Sequence, residues 1–395
     1  MIPSSPISIT GIGWTTPLGD DLDAVWQRLL DGETGLVEIP HAARLLNGLG
    51  APVAPAHLYP SLPADAPADQ RMTALALPAL RRSLAAAGRD LADAEVQLVL
   101  GTSLGAFLEG EPASAPLDAW ADALALAAGA ARPPISLSTA CSSGSDAILV
   151  GAELIRAGAA TCCVCGGVDV LTLTKRLAHS ALGSMSRTLL RAFDVRHDGT
   201  LLGEGAGFVV LEASPNAPNA PNAPNAPNAP NAPARTLAWL RGVGSANDAA
   251  GMTTPDADAL GARLALERSL ADAGLEPDSI GVINAHGSGT PLNDVTEARA
   301  FREVFGRGAR RPVVFGTKGN FGHSLGATGV LEAITVLLAL RTGRVPPIFG
   351  LEQPYPEMGF PLPQGRPLPC DARFGLSVTL GFGGFDTSLI FERVG

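Results

Sequence analysis

Length, composition and charge exclude several classes of protein. The chain has 395 residues, of which 46% are hydrophobic, so it can bury a large core as one big domain or as two fused halves. Its formal net charge is −10 and no basic stripe is apparent, which argues against nucleic-acid binding. The first residues lack the basic start and apolar run of a signal peptide, and no apolar stretch reads as long enough to span a bilayer. We therefore expect a soluble, cytoplasmic protein in a reducing compartment, with no membrane contact.

Short apolar strands alternate with helical stretches along the chain, which is typical of layered α/β architecture with central sheets covered by helices. Helices are predicted, in chain order, at 22–30, 73–87, 142–158, 261–273 and 328–340. Strands are predicted just before Cys141, through the cysteine-rich run 162–167, and at 207–212, 236–245 and 280–284. The five cysteines form no pair of Cys-x-x-Cys motifs of the kind that binds zinc, so no metal site is expected.

Six consecutive Asn-Ala-Pro copies occupy 216–233. Proline at every third position disfavours both helix and sheet, so we expect an extended surface loop there. A tolerated repeat expansion is favoured over a tether for a partner, because a long surface insertion adds little loop-closure entropy. The repeat divides the chain into an N-terminal half at 1–213, the repeat loop at 214–234 and a C-terminal half at 235–395.

Cys141 lies between a predicted strand and a predicted helix that is closed by Gly158. The helix amides and the positive end of the helix dipole would face the thiol, which predicts a lowered pKa and a nucleophilic thiolate. A lone intracellular cysteine is more often a small buried core residue. A catalytic role for Cys141 is therefore supported only in combination with two further segments.

Two histidines and a lysine complete a candidate constellation. His286 ends a β-type run and precedes a glycine-rich turn, whereas Lys318 and His323 precede an apolar helix. One cysteine and two histidines, each at a strand end or in a glycine-rich turn, are typical of a nucleophile with two imidazole partners.

These segments resemble the β-ketoacyl-[acyl-carrier-protein] synthases, the Claisen-condensing enzymes of fatty-acid and polyketide synthesis. The family pattern is Thr-Ala-Cys-(Ser/Thr)-Ser, His-Gly-Thr-x-Thr, Lys-x-x-x-Gly-His and Gly-Phe-Gly-Gly. All four motifs have counterparts here in that order, at 139–143, 286–290, 318–323 and 381–384. Supporting blocks match at 193–199, 203–207 and 247–253, and the resemblance extends from 7 to 391.

The resemblance implies roles for the residues that match these motifs. Cys141 would carry the acyl chain as a thioester, and Nε2–H donation from His286 and His323 would stabilise the enolate formed when malonyl loses its carboxylate. The oxyanion would be held by the backbone N–H groups of Cys141 and Phe382, and the Phe382 side chain resembles the family's gate. The glycines of that loop supply its backbone freedom: Gly381, Gly383 and Gly384.

Other matched residues are implied to support the site rather than to react. Lys318 and its carboxylate partner Glu332 would fix the His323 loop and the local field. Ser288 and Thr290 would bind the phosphopantetheine arm, and two loop residues would move with the gate: Asp248 and Thr253.

The family also implies a fold and partners. We expect the thiolase-like fold, in which two similar halves form five layers, α-β-α-β-α, with the site at their junction. Substrates would arrive on the phosphopantetheine of an acyl carrier protein, with no other cofactor and no metal. Because carrier proteins are acidic, docking should use a basic patch, with Arg191 as the aligned contact and Arg187, Arg176 and Lys175 nearby. Relatives are dimers, so a homodimer or a heterodimer with a related subunit is expected.

The chain departs from the family pattern in places. The segment between 105 and 136 is short, which leaves the acyl pocket and the dimer partner open, and the Gly-Phe-Gly-Gly motif is followed by Phe385 and Asp386 where relatives usually carry Thr-Asn. The predicted activity is a decarboxylative condensation in fatty-acid, aryl-polyene or polyketide synthesis. The alternatives are an inert chain-length-factor-type subunit, disfavoured by the intact Cys141, His286 and His323, and a thiolase acting on coenzyme A esters, disfavoured because Cys370 lies outside any glycine-rich loop.

Overall fold

The structure is a computed structural model that describes residues 5–39, 45–63, 66–107, 109, 116–213, 236–308 and 311–394. The predicted Asn-Ala-Pro loop lies outside the described residues. The helices are α1 Leu22–Leu30, α2 Ala68–Ala87, α3 Ala119–Ala127, α4 Ser143–Arg156, α5 Leu173–Ala181, α6 Leu260–Ala273, α7 Pro291–Phe305, α8 Lys318–Phe321 and α9 Thr328–Thr342. The strands are β1 Ile7–Thr15, β2 Val37–Glu38, β3 Leu49–Gly50, β4 Val96–Gly101, β5 Ile135–Leu137, β6 Cys162–Asp169, β7 Gly205–Glu212, β8 Ala238–Asn247, β9 Ile280–Asn284, β10 Val313–Phe315, β11 Arg344–Val345, β12 Leu368–Pro369, β13 Phe374–Gly381 and β14 Phe385–Arg393.

Two sets of five strands share one topology. In the first set the spatial order is β1-β7-β6-β4-β5, and in the second it is β8-β14-β13-β9-β10. In both sets the first two pairings are antiparallel and the last two are parallel. β1 also pairs antiparallel with β8, with Ser8 opposite Trp239, so the two sets join edge to edge. The chain is therefore built from two similar halves, as the resemblance predicts.

Helices cover the strands in five layers, α-β-α-β-α. The outer helix α2 packs on β1 and β7, and α6 packs in the same way on β8 and β14. The central layer consists of α4, which packs on β4 and β6, and α9, which packs on β13 and β14. These two central helices contact each other. Their N-terminal ends therefore meet between the halves.

Glycine lets the outer helices approach the strands beneath them. A Cβ atom on Gly11 would overlap the Ser83 carbonyl of α2, and one on Gly242 would overlap the Ser269 carbonyl of α6. The same relation repeats two residues later in each strand, where Gly13 and Gly244 face the next turn of the helix. Only a residue without a side chain allows a helix backbone this close to a strand.

The prediction that no apolar stretch is long enough to span a bilayer is wrong. The described residues include an 18-residue stretch, Leu325–Thr342, that is long and apolar enough to cross a membrane by length and composition. However, 89% of that stretch is buried inside the protein, because α9 packs against strands of both sets. Its apolar residues on all sides are therefore those of a central core helix.

Candidate active site

Cys141 lies between β5 and α4, where the sequence predicts it. A 3₁₀ turn over Ala140–Ser142 leads directly into α4, and Ala140 has a left-handed backbone with a φ of 52°. This conformation is strained for a residue with a Cβ atom, and such residues cluster at functional sites. Only 4% of the Cys141 surface is exposed. The turn thereby holds a buried sulfur at the tip of a central helix.

His323 lies just before α9, as Cys141 lies just before α4, and it contacts the thiol. Its Nε2 atom is 3.1 Å from Cys141 Sγ, and its Nδ1 atom is 3.0 Å from Thr328 Oγ1. The His323 backbone amide donates to the carbonyl of Leu201 at 2.7 Å, which fixes the position of the loop. The Thr328 hydroxyl can donate or accept, so the imidazole can carry its proton on either nitrogen.

His286 follows β9 and faces His323. The two rings are in edge-to-face contact, with centroids 5.2 Å apart and an interplanar angle of 87°. The backbone amides of His286 and Gly287 donate to the two carboxylate oxygens of Glu297, at 2.7 and 2.6 Å. Glu297 lies in α7 and was not among the predicted site residues. The available signal was its position on the helix that follows the His-Gly turn.

The Lys318–Glu332 pair lies beneath the two histidines. Lys318 Nζ donates to Glu332 Oε1 at 2.6 Å and also to the backbone carbonyl of His286. Each side chain is only 2% exposed, and neither lines the substrate-sized cavity described below. The lysine therefore reaches the site through the His286 backbone and through its charge.

Burial leaves the histidines uncharged and the cysteine protonated. Burial, followed by the Lys318 charge, holds the pKa values of His286 and His323 well below 6.5. Burial raises the pKa of the Cys141 thiol to about 11, whereas the Phe382 amide and Lys318 lower it. The prediction of a lowered thiol pKa at the helix tip is therefore wrong for this closed site. It omitted the cost of removing the sulfur from water.

The Gly381–Gly384 turn, between β13 and β14, covers the sulfur. The Phe382 backbone amide donates a hydrogen bond to Cys141, and Gly383 and Gly384 have φ values of 81° and 75°. These left-handed conformations favour glycine. A Cβ atom on Gly384 would also overlap the Asp248 carboxylate. The turn can thus adopt this position only because these two residues are glycines.

A cavity of about 280 Å³ connects the thiol to the protein surface. It is lined by Cys141, His286, His323 and the Gly381–Gly384 turn. Four other predicted residues also line it: Ser288, Thr290, Asp248 and Thr253. The hydroxyl oxygens of Ser288 and Thr290 are 2.8 Å apart. The structure therefore brings these predicted residues together around one cavity, whereas Arg191 does not line that cavity.

The predicted basic docking patch is not present as a patch. Arg191 is half-buried, and its Nη1 donates to Thr188 Oγ1 at 2.8 Å. Lys175 and Arg176 are buried, at 2% and 3% exposure. Lys175 pairs with Asp169 inside the protein. Of the predicted neighbours only Arg187 is exposed, so a docking role does not fit Lys175 and Arg176.

Two cavity-lining residues have no predicted role. His179, in α5, stacks on the Phe382 ring with centroids 5.6 Å apart and an interplanar angle of 19°. Asp386, the second residue of the departure from the family pattern at Phe385 and Asp386, is 3% exposed. Burial, followed by the Asp248 charge, raises the pKa of Asp386 to about 8. No motif marks either residue, because their contacts in the cavity are with residues distant in sequence.

Within the described ranges no group of three His, Cys, Asp or Glu side chains is arranged to hold a metal ion. The buried oxygens of the described residues that lack a hydrogen-bond partner nevertheless include Asn284 Oδ1, Glu332 Oε2 and Ser377 Oγ. Asn284 and Ser377 are paired across β9 and β13. Oxygen ligands of this kind suit a hard cation or a water molecule.

Comparison with known proteins agrees with this fold. Residues 4–217 match the sequence model of the beta-ketoacyl synthase N-terminal domain, and residues 237–352 match that of the C-terminal domain. The chain is 30% identical to the 3-oxoacyl-[acyl-carrier-protein] synthase 2 of Synechocystis sp. (strain ATCC 27184 / PCC 6803 / Kazusa), covering 98% of both chains. It is similar in structure to a beta-ketoacyl synthase from Burkholderia phymatum STM815, with a TM-score of 0.83, 28% identity and coverage of 99% and 100%. It is also similar to the ishigamide ketosynthase/chain length factor, with a TM-score of 0.82, 28% identity and the same coverage.

A buried cysteine between two imidazoles, at the junction of two fused halves, defines a condensing enzyme of the acyltransferase type. The chain belongs to the beta-ketoacyl synthase family.

Proposed function

We propose that this chain is an active β-ketoacyl-[acyl-carrier-protein] synthase that joins a Cys141-bound acyl chain to malonyl-carrier by decarboxylative Claisen condensation. The observation that carries the proposal is the 3.1 Å contact between Cys141 Sγ and His323 Nε2, with the His286 ring against His323 in the same cavity. A nucleophile and two neutral imidazole donors can thus reach one substrate.

The first step is acyl transfer to Cys141. The sulfur attacks the thioester carbonyl, a new S–C bond forms, and the carrier-arm sulfur leaves. The thiol proton passes to the departing sulfur, with His323 Nε2 as the relay. The negative charge on the carbonyl oxygen would be held by the amides of Cys141 and Phe382. Since the resting thiol has a raised pKa, attack and proton transfer are expected to be coupled.

The second step forms the carbon–carbon bond. Malonyl-carrier loses carbon dioxide, and the electron pair of the broken bond forms an enolate. Neutral His286 and His323 donate Nε2–H to the enolate oxygen. The enolate carbon attacks the Cys141 thioester, the β-ketoacyl chain leaves on the carrier, and one proton from the medium restores the thiol. The low pKa of both imidazoles supports donation from the neutral form.

Carrier delivery and assembly are part of the proposal. Ser288 and Thr290 would hold the phosphopantetheine arm, while Asp248 and Thr253 would move with the gate. Arg191 would be a docking contact, and no other cofactor would take part. A homodimer or heterodimer would form through β5, the strand at one end of the sheet. The reducing cytoplasm suits a thiol nucleophile such as Cys141.

The two alternatives fit less well. A thiolase needs a second cysteine as base, and the other four cysteines are buried and do not line the cavity. A chain-length-factor-type subunit would have no use for the Cys141–His323 contact. We therefore keep the β-ketoacyl synthase activity as the proposed function.

The test is stepwise. The protein is incubated with a panel of acyl-carriers, the adduct is detected by intact mass, and malonyl-carrier is added to identify the product. Cys370→Ala, at a buried cysteine away from the cavity, is the matched control and should form adduct and product as the wild type does. We expect Cys141→Ala to form no adduct, and His286→Ala to acylate but release little product. An adduct on Cys141→Ala would show that another group is the nucleophile.

A further inference from the structure

The Phe382 turn is held from one side by the ring of His179. Their rings are stacked, and His179 is 92% buried, since 8% of its surface is exposed. Burial lowers the pKa of His179 to about 4, so the ring is uncharged at neutral pH. An uncharged aromatic ring stacks on phenylalanine without the cost of burying a cation. The contact is therefore a stable apolar one.

His179 lies on a helix that is itself firmly anchored. Two residues in the preceding turn of α5 reach into the protein: Lys175 pairs with Asp169 and donates to the Gly105 carbonyl at 2.8 Å, and Arg176 donates to the Gly48 carbonyl at 2.8 Å. The His179 Nδ1 atom is 3.0 Å from Ser184 Oγ, which fixes the rotation of the ring. The imidazole is thus a rigid surface rather than a mobile side chain.

The other hydrogen bonds of the turn are made by the glycines around Phe382. Gly383 and Gly384 have left-handed backbones, and Gly384 N donates to the Gly381 carbonyl at 3.1 Å, which closes the turn. Three further hydrogen bonds tie the turn to the end of β8 and to the segment after it: Gly383 N to Met252 O, Asp248 N to Gly384 O, and the side-chain Nδ2 of Asn247 to Gly383 O. The stacking on His179 is, in contrast, a contact of the Phe382 side chain itself.

We propose that His179 is a positioning residue that holds the Phe382 amide at the Cys141 sulfur and so sets the oxyanion donor for acyl transfer. The inference rests on the proposed role of Cys141 as the nucleophile. A preorganised donor stabilises charge only if it does not have to be brought into place during the reaction. Loss of the ring would let the Phe382 peptide rotate. Acyl transfer would then be slower, although the thiol would remain.

Two reagents separate this role from access to the thiol. Acyl transfer from octanoyl-N-acetylcysteamine places negative charge on a carbonyl oxygen, whereas alkylation by iodoacetamide displaces iodide and needs no such donor. The ratio of the two rates at Cys141 corrects for a change in the availability of the thiolate. We expect His179→Ala to lower this ratio by about tenfold or more, because removal of a whole oxyanion donor costs about 10²–10³.

Matched variants make the result specific. His179→Phe keeps a ring and should retain the wild-type ratio within about twofold, whereas His179→Gln keeps a partner for Ser184 but no ring and should behave as His179→Ala. Phe382→Ala should lose as much as His179→Ala, and the double variant no more, because both remove one contact. If His179→Ala does not fold, His179→Gln replaces it.

The outcomes are distinguishable. A wild-type protein that is alkylated but never acylated would refute the proposed function. A wild-type protein that is acylated, with an unchanged ratio in the ring-less variants, would refute the positioning role alone. Additive losses in the double variant would also refute it.

Discussion

At the scale of single residues, loss of water sets the charge of the groups around the cavity. The same burial that keeps His286 and His323 neutral also raises the pKa of the Cys141 thiol and of Asp386. For the histidines, neutrality suits hydrogen-bond donation to an enolate. Asp386 has no such role in the proposed reaction, and its neighbours include Asp248, Asp256 and Glu297. Its burial is therefore expected to appear as a cost to stability.

Asp386→Asn should stabilise the protein at alkaline pH. The Asp386 pKa is raised from 3.8 to about 8 in the folded state, first by burial and then by the Asp248 charge. The folded state therefore binds more protons than the unfolded state between these values, so the wild type loses stability as pH rises from about 4 to about 8. The asparagine does not titrate. The melting temperature of the Asp386→Asn variant should exceed that of the wild type by about 2 °C or more at pH 9, with a smaller difference at pH 5.

The matched control for this prediction is Asp69→Asn, at an exposed aspartate. Its melting temperature should stay close to that of the wild type, because a substitution at an exposed position usually changes stability by less than about 0.5 kcal/mol. A constant difference between Asp386→Asn and wild type from pH 5 to pH 9 would contradict the titration of Asp386.

The sequence predicted the residues that line the cavity better than the residues that hold them in place. Cys141, His286 and His323 lie in motifs with fixed spacing, so their types and order were enough to place them in one site. Glu297 holds the His286 backbone from another helix, and His179 stacks on a residue about two hundred positions later. Such partners are defined by tertiary packing, which local sequence does not contain. The raised thiol pKa was missed for the same reason, because burial is a property of the fold.

At the scale of elements, two helix ends create the site. α4 and α9 occupy equivalent places in the two halves, and each is preceded by a short 3₁₀ turn with a left-handed first residue, Ala140 and Leu325. Helix α1 has the predicted bounds, whereas α2 begins at Ala68 instead of 73. Most of its first turn is not buried, so it shows no apolar periodicity. The apolar faces of these helices could thus be predicted from the sequence, whereas a helix end made of exposed residues could not be placed as well.

Close packing of strand on helix predicts a large effect from one methyl group. In Gly242→Ala, the new Cβ atom would overlap the Ser269 carbonyl of α6, so strand and helix must separate. We expect the free energy of unfolding to fall by about 1–3 kcal/mol, measured by urea denaturation. Gly251→Ala is the control, because its nearest atom would lie 3.4 Å away, and it should change stability by less than about 0.5 kcal/mol. Equal stability of the two variants would mean that α6 can move away from β8 at no cost.

At the scale of the whole molecule, the two halves share one strand order and one helix placement. The sequence predicted two halves through the family resemblance, but it could not predict their junction. That junction is the pairing of β1 with β8, whose residues are more than two hundred positions apart. Long-range pairing of this kind leaves no local pattern. It also places the end of β7 and the start of β8 on opposite sides of β1.

This arrangement predicts that the Asn-Ala-Pro repeat can be removed. Glu212 ends β7 and Ala238 begins β8, and β1 lies between them. Neighbouring strands are about 4.8 Å apart, so the two chain ends are separated by about 10 Å. After deletion of 216–233, the remaining link between Ala213 and Thr236 can span about 17 Å. The link is therefore long enough, and a shorter loop carries a slightly smaller closure entropy.

We expect the deletion variant to keep the wild-type melting temperature within about 2 °C, and to keep its condensation rate with carrier-bound substrates. A second variant, in which glycine and serine replace the repeat at equal length, separates the effect of length from that of composition. If both variants keep the melting temperature and the rate of acylation by small thioesters but lose carrier-dependent activity, the repeat contributes to carrier docking. In that case it is a tether for the partner, and the interpretation as a tolerated expansion is wrong.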